Sequence, residues 1–320
     1  MKSGFTFAAA IVAGSAALTT VALSQNYPDR PVRVLVGLAP GGGTDSVARL
    51  MTQKLADTLG QSFVVDNRPS AGGSVAGELA ARAAPDGYTL ITVTPTHVIN
   101  PSLYRNVLYD AIRDFAGVGQ IVHAQYYLSV SNAVPATSVK ELIAVAKTRN
   151  PRLSYASSGI GSANHLSGEL FKTMAGIDMT HIPYKGGAPS LSALIAGEVQ
   201  VSFTSGVIIP HAKAGRLKTI AVTGAKRTPL APDIPTINEA GVPGYEVVGW
   251  YGMAAPAKTP RAVIERLNRT MNRVLPELRE RYAALGMDLA GGSASDFDAL
   301  LRSERDKWAK VVKISGAKVE

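Results

Sequence analysis

Three glycine- and serine-rich turns hold the residues whose types and spacing could do chemistry: Pro40-Gly41-Gly42-Gly43-Thr44-Asp45, Ser157-Ser158-Gly159-Ile160-Gly161-Ser162 and Lys185-Gly186-Gly187-Ala188. Each follows a short apolar run that reads as a strand and precedes residues at helical spacing. A turn placed there aims free backbone N–H groups and the positive end of a helix dipole at whatever lies above the strand end. That environment suits a carboxylate or a phosphate, and glycine lets such a ligand approach the backbone closely. One such turn alone is more often an ordinary tight turn. Three in one chain point to anion binding.

The groups that would make an enzyme are missing. No Walker lysine follows the glycines, and Asn164 stands where a dinucleotide fingerprint needs its third glycine. There is no G-x-S-x-G elbow. The histidines at 97, 123, 165, 181 and 211 lack metal-ligand spacing, and His165 with Glu169 is one helical pair. No catalytic residue, metal site or cofactor is expected, and the chain reads as a binding protein.

The positioning elements follow from periodicity. Val32 to Val36 reads as a buried strand, and Val47, Met51 and Leu55 as a helix face that Thr44 or Asp45 can cap and Gly60 can stop. Phe63 to Val65 and an Ala-rich helix ending near Ala83 repeat the unit, and Thr89 to Thr94 is a third strand ending at Pro95-Thr96-His97. Ser138 and Glu141 form a capping box before a helix to Lys147. Leu153 to Ala156, Val199 to Phe203 and Leu217 to Val222 read as further strands. Helices are expected from Asn164 to Met174 and from Pro189 to Gly197. The C-terminal part is helical, with Thr259-Pro260 as cap and first residue and Ser293 or Ser295 before a last helix holding Trp308. This alternation argues for a parallel sheet covered on both faces.

Of the 320 residues, 46% are hydrophobic and 18% charged, which excludes a disordered chain and sets a large or double α/β unit. Residues 1–24 carry one charge, Lys2, before an apolar run from Phe5 to Leu23, the layout of a signal peptide. Cleavage is placed after Ser24, with a cut after Ala22 as the alternative; the run is also long enough for an uncleaved anchor. Removing Lys2 lowers the net charge from +9 to +8, which favours anionic small molecules by steering or is simply a solvated basic surface. Arg261, Arg266, Arg269 and Arg273 are spread along one helix with no aromatic block, so nucleic acid is not an expected partner. The absence of cysteine excludes a disulfide, a lipobox and thiolate-bound metals.

Further runs occur in a recognisable order: DNRP at 66–69, APDGYTL at 84–90, HVINPSLY at 97–104, YASSG at 155–159 and HLSGELFK at 165–172. After them come HIPYKGGAP at 181–189, GAKRTPLAPDIPTINEAGVPGYE at 224–246 and AAPAKTP at 254–260. With the first glycine turn, these make the mature chain resemble the Bug receptors, the TctC-type solute-binding components of tripartite tricarboxylate transporters. The resemblance implies a type II periplasmic-binding-protein fold in the α/β class: two α/β lobes joined by two crossing strands, with the ligand in the cleft. It places lobe 1 at 25–125 plus 248–320 and lobe 2 at 126–247, with the crossings near Tyr126 and near Val247 to Trp250. It implies a periplasmic monomer that captures a small carboxylate for membrane transporter subunits, or alternatively presents it to a sensor ectodomain.

Positions matching the family's ligand-holding turns are Gly42, Gly43, Thr44 and Asp45; Thr94, Thr96 and His97; Ser157, Gly159, Ser162 and His165; Tyr184 and Lys185; and Thr204 and Ser205. Asp45 is equally suited to capping, and His97 and His165 to bonding their own turns. Two departures touch the pocket: Thr204-Ser205-Gly206 stands where many members carry Asp or Asn, and Leu38-Ala39 replaces a bulkier or proline-rich pair. With only hydroxyls at 204 and 205, carboxylates without an amine are expected, di- or tricarboxylates or aromatic acids stacked on Tyr184.

Overall fold

The computed structural model describes residues 27–103, 107–229 and 231–315; the expected signal peptide lies outside them. Eleven strands and ten helices are formed among the described residues. In the first half they are β1 (Val32–Val36), α1 (Gly43–Leu59), β2 (Phe63–Asn67), α2 (Ser74–Ala81), β3 (Thr89–Val93), α3 (Pro95–Leu103), β4 (Phe115–Gln125), β5 (Tyr127–Ser131), α4 (Val139–Thr148) and β6 (Ser154–Ser157). Then follow α5 (Ala163–Ala175), β7 (Thr180–Pro183), α6 (Gly187–Ala196), β8 (Val201–Thr204), α7 (Ile209–Lys213) and β9 (Leu217–Val222). The chain ends with β10 (Val248–Pro256), α8 (Arg261–Val274), α9 (Arg279–Ala283), β11 (Met287–Leu289) and α10 (Ala294–Ser315).

The strands form two sheets, ordered β11-β4-β10-β3-β1-β2 and β7-β6-β8-β5-β9. Both are mixed, which corrects the expectation of a parallel sheet. The βα units pair in parallel, β1 with β2 and β3, and β6 with β7 and β8. β10 and β5 each arrive from the other sheet and so run antiparallel to their neighbours. β4 passes into β5 through Tyr126 alone, and the return path enters β10 at Val248. The two passages are tied together at one point: the Tyr126 N–H donates to Thr223 Oγ1 at 2.9 Å, the Thr223 N–H to the Tyr126 carbonyl at 2.9 Å, and the Val247 N–H to the Thr223 carbonyl at 2.8 Å.

Local chemistry explains most elements. Helix α1 buries Val47, Met51 and Leu55 and stops at Gly60, whose φ of 71° is left-handed. Its N-cap is Gly42, and neither Thr44 nor Asp45 caps it, because the buried Asp45 carboxylate is committed to the Gly41 N–H, Arg49 and Asn67. Ser138 accepts from the Glu141 N–H at 3.2 Å, but Glu141 answers to Thr137, so the box is shifted by one residue. Pro260, not Thr259, caps α8.

One apolar core continues from the first sheet to the second and includes Phe171, Phe203 and Tyr245 beside Trp250, Phe297 and Trp308. Helix α10 packs on both α3 and α5, so it braces the two halves. Inside this core Glu304, 7% exposed, accepts on Oε2 from the indole N–H of Trp250 at 2.9 Å and of Trp308 at 2.8 Å.

Candidate functional site

A cleft lies between the carboxyl ends of the two sheets. Its walls are Leu38, Gly43, Thr44, Thr94, Thr96 and Tyr251 from the first sheet's side and Ser158, Asn164, Gly187, Thr204 and Ser205 from the second, with Tyr126 at the crossing. A second cavity adjoins it, sharing Leu38, Thr44, Thr94 and Thr96 and extending to Gly37, Gly72, Gly73, Thr92, His97 and Tyr109. Each has a volume of about 30 Å³. No lining residue of either carries a charged side chain.

The electrostatics of the cleft therefore come from the backbone. The first turns of four helices reach it: Gly43 and Thr44 of α1, Thr96 of α3, Asn164 of α5 and Gly187 of α6. The caps of α1 and α6 are Gly42 and Gly186, and neither helix start receives a side-chain cap. These two starts meet across the cleft, since a side-chain carbon on Gly42 would lie 3.5 Å from the Gly187 nitrogen. Two positive dipole ends facing each other repel in the absence of an anion between them, and an anion placed there is stabilised by both. Gly186 is required for this approach: its φ is 129°, and a Cβ would stand 3.0 Å from the Ala39 nitrogen.

Contacts between the halves close the floor. The Ala39 N–H donates to the Lys185 carbonyl at 3.3 Å. Tyr251 shares a hydrogen bond with Ser205, and burial pushes its hydroxyl up to about 12 despite that bond. Gly43 leaves the space for this pair: a Cβ there would be 2.7 Å from Tyr251 Oη and 2.8 Å from Ser205 Oγ. Asn164 pins its turn to the sheet by donating to the Phe203 carbonyl while its Oδ1 accepts from Ser158 Oγ at 2.8 Å.

Of the residues singled out in the sequence, Gly43, Thr44, Thr94, Thr96, Thr204 and Ser205 line the cleft and His97 the adjoining cavity. The others are not among the residues lining these two cavities. Asp45 accepts from the Gly41 N–H, Arg49 and Asn67 at 2.9–3.0 Å; burial works against its ionised form, but these bonds outweigh it and hold its pKa below the ordinary value. Ser157 Oγ is 2.7 Å from His181 Nε2, and Ser162 caps α5 by accepting from the His165 N–H. His165 stacks on His181 at 4.1 Å with its Nδ1 accepting from the Gly161 N–H. Burial pushes His165 down to about 4, and burial with the neighbouring His165 and Lys172 pushes His181 to about 3, so both rings are neutral. Tyr184 is half-buried against the core of the second sheet, and Lys185 is exposed. Gly159 faces the Gly72 nitrogen, 3.4 Å from where its Cβ would be. Asn164 and Tyr251 were not found from the sequence, whereas Ser158 and Gly187 were read only as parts of the glycine turns, Leu38 only as a departure touching the pocket and Tyr126 only as a crossing residue. Ser158, Asn164 and Gly187 lie in or beside the glycine turns, which was the available signal.

The chain is similar to known proteins over most of its length. Residues 47–317 match the family model described as tripartite tricarboxylate transporter family receptor. The R. palustris protein Rpa4515, solved with adipate, is 40% identical and superposes with a TM-score of 0.89 over 92% of this chain and 100% of its own. The periplasmic binding protein BugD is 34% identical, with a TM-score of 0.88 over 92% of this chain and 100% of its own. MatC from Rhodopseudomonas palustris, with bound malate, is 33% identical, with a TM-score of 0.85 over 89% of this chain and 100% of its own. These are two-lobed receptors of one kind, and together they fix the fold here as the two-lobed one. The chain belongs to the tripartite tricarboxylate transporter receptor family, and it is a solute-binding receptor rather than an enzyme.

Proposed function

We propose that this receptor captures a small carboxylate without an amine, in the periplasm, and delivers it to the membrane subunits of a tripartite transporter. The observation that carries the reading is the convergence of four helix N-termini on a cleft with no charged side chain, two of them tip to tip. Such a site binds one negative group through backbone N–H donors. Neighbouring receptors solved with adipate and malate support the same class. An ammonium group would meet the positive ends of the helices and no acidic partner, because Asp45 is already committed to Arg49 and Asn67.

In this reading Gly42, Gly43 and Thr44 with Thr94 and Thr96 act from lobe 1 (25–125 plus 248–320), and Ser158, Asn164, Gly187, Thr204 and Ser205 from lobe 2 (126–247). The narrow cavities mean that a ligand enters by parting of the lobes about the Tyr126–Thr223–Val247 tie. The N-terminal 24 residues direct export and are removed, which N-terminal sequencing of protein released by osmotic shock checks. The decisive test is titration calorimetry of succinate against aspartate, and of glutarate against glutamate. The amine-free acid should bind about tenfold or more tightly, one lost charge-assisted contact being about 1.5–3 kcal/mol; equal or tighter binding of the amino acids refutes the reading.

A further inference from the structure

The cavity beside the cleft contains polar atoms that the fold leaves without partners. His97 is 6% exposed and Thr92 4%, both line this cavity, and among the described residues neither His97 Nε2 nor Thr92 Oγ1 has a hydrogen-bond partner. The His97 ring is held rigidly: it stacks on Tyr109 at 5.0 Å and meets Phe115 edge-on at 4.5 Å. Its other nitrogen is committed to the Ala111 backbone, a bond that favours a proton on the ring and so runs from Nδ1–H to the Ala111 carbonyl. Burial holds the ring at a pKa of about 4, leaving it neutral. A neutral imidazole with its proton on Nδ1 offers only a lone pair at Nε2.

A buried acceptor of this kind costs free energy until a donor reaches it. The cavity, about 30 Å³ in volume, is large enough for a small polar group beside Nε2. A carboxylate would place its lone pairs against that of Nε2. An ammonium would lie among the positive ends of helices α1 and α3, whose residues Thr44 and Thr96 line the cavity. A hydroxyl satisfies all of these conditions: it donates to Nε2 and, as the acceptor of the Thr92 hydroxyl, it fulfils that group too.

We infer that the His97–Thr92 cavity is a hydroxyl subsite of the cleft, so that this receptor selects hydroxycarboxylates over the corresponding acids lacking the hydroxyl. The inference rests on the carboxylate reading above and adds to it the substituent that the ligand carries. The shared walls at Thr44, Thr94 and Thr96 put the subsite one short chain length from the helix N-termini that hold the carboxylate.

The experiment is calorimetry on the full mature protein with malate against succinate and citrate against tricarballylate, pairs that differ by one hydroxyl. The wild type should prefer the hydroxylated member by about tenfold, the worth of one to two neutral hydrogen bonds. Thr92→Val and His97→Phe should each reduce that ratio, and His97→Gln, which can present an acceptor, should restore part of it. Nitrogen NMR of the wild type provides a reading that depends on no variant folding: the proton must sit on His97 Nδ1. A ratio near one in the wild type, a ratio unchanged in both the Thr92 and His97 variants, or a proton on Nε2 overturns the subsite. If both members of each pair bind equally, the subsite fails while the carboxylate reading stands; if no carboxylate binds, that reading fails and the subsite with it.

Discussion

Glu304 is the single buried carboxylate on which both tryptophans of the chain converge, and its replacement has a calculable effect. In Glu304→Leu, the indole N–H groups of Trp250 and Trp308 lose their acceptor in a site where Trp250 is 2% exposed and Trp308 fully buried. Two buried donors left unsatisfied cost about 1–3 kcal/mol each, about 2–6 kcal/mol together. Removing a desolvated carboxylate returns part of this, for a net loss of about 2–4 kcal/mol. The Lys307 contact at 3.4 Å is with a half-exposed side chain and contributes little. Glu304→Gln separates hydrogen bonding from charge: both indoles donate to the same oxygen, so an amide carbonyl in its place keeps both bonds and should cost only about 1 kcal/mol. Urea unfolding followed by far-UV circular dichroism measures both variants without relying on the perturbed indoles. A leucine variant within about 1 kcal/mol of wild type, or a glutamine variant as damaging as leucine, would show that this cluster does not brace α10.

Two further outcomes are expected. Gly43→Ala puts a methyl group between Tyr251 and Ser205, which requires the lobes to stand apart; carboxylate affinity should fall about 10- to 100-fold, the cost of overpacking at about 1–3 kcal/mol, with a smaller change in melting temperature, and unchanged affinity refutes the placement. Stability should also fall on acidification. His97 and His165 are held near 4 in the fold, well below their unfolded value of 6.5, so the unfolded chain takes up protons first. Stability is thus complete above about pH 6.5 and is lost between there and about pH 4, at up to about 1.4 kcal/mol per pH unit for each ring; urea midpoints equal at pH 7 and pH 5 would contradict this.

What the sequence made legible follows from where glycine and apolar spacing act locally. Two of the three turns stood out because a helix start that must remain uncapped by side chains needs glycine at Gly42 and Gly186, and composition records that need. The direction of neighbouring side chains is not recorded in the same way. Ser157, His165 and Tyr184 adjoin those turns, yet Ser157 is bonded to His181, His165 stacks on His181, and Tyr184 packs on the core of the second sheet. Helix α3 was missed for a different reason. The strand was read as ending at Pro95-Thr96-His97 with no helix after it, but Pro95 occupies the first helical position, where its lack of an N–H costs nothing. Pro101 leaves the His97 carbonyl without its helical donor, and the Tyr109 hydroxyl supplies one at 3.2 Å from outside the helix.

That substitution links the fold to the site. The bond from Tyr109 to the His97 carbonyl fixes the backbone of the residue whose ring Tyr109 also stacks against, and the Ala111 carbonyl then fixes the ring's tautomer. Both partner residues, Tyr109 and Ala111, come from the segment between α3 and β4, more than ten residues from His97 in sequence and not periodic with it. Tyr251 and Tyr126 enter the cleft in the same non-local way, on long strands whose pairing with β3, β4 and the crossing decides which face they present. The electrostatics of the cleft are equally unreadable from charged residues: the chain's net +9 lies elsewhere, and the cleft's field comes from peptide dipoles that four helices bring together only once both sheets have formed.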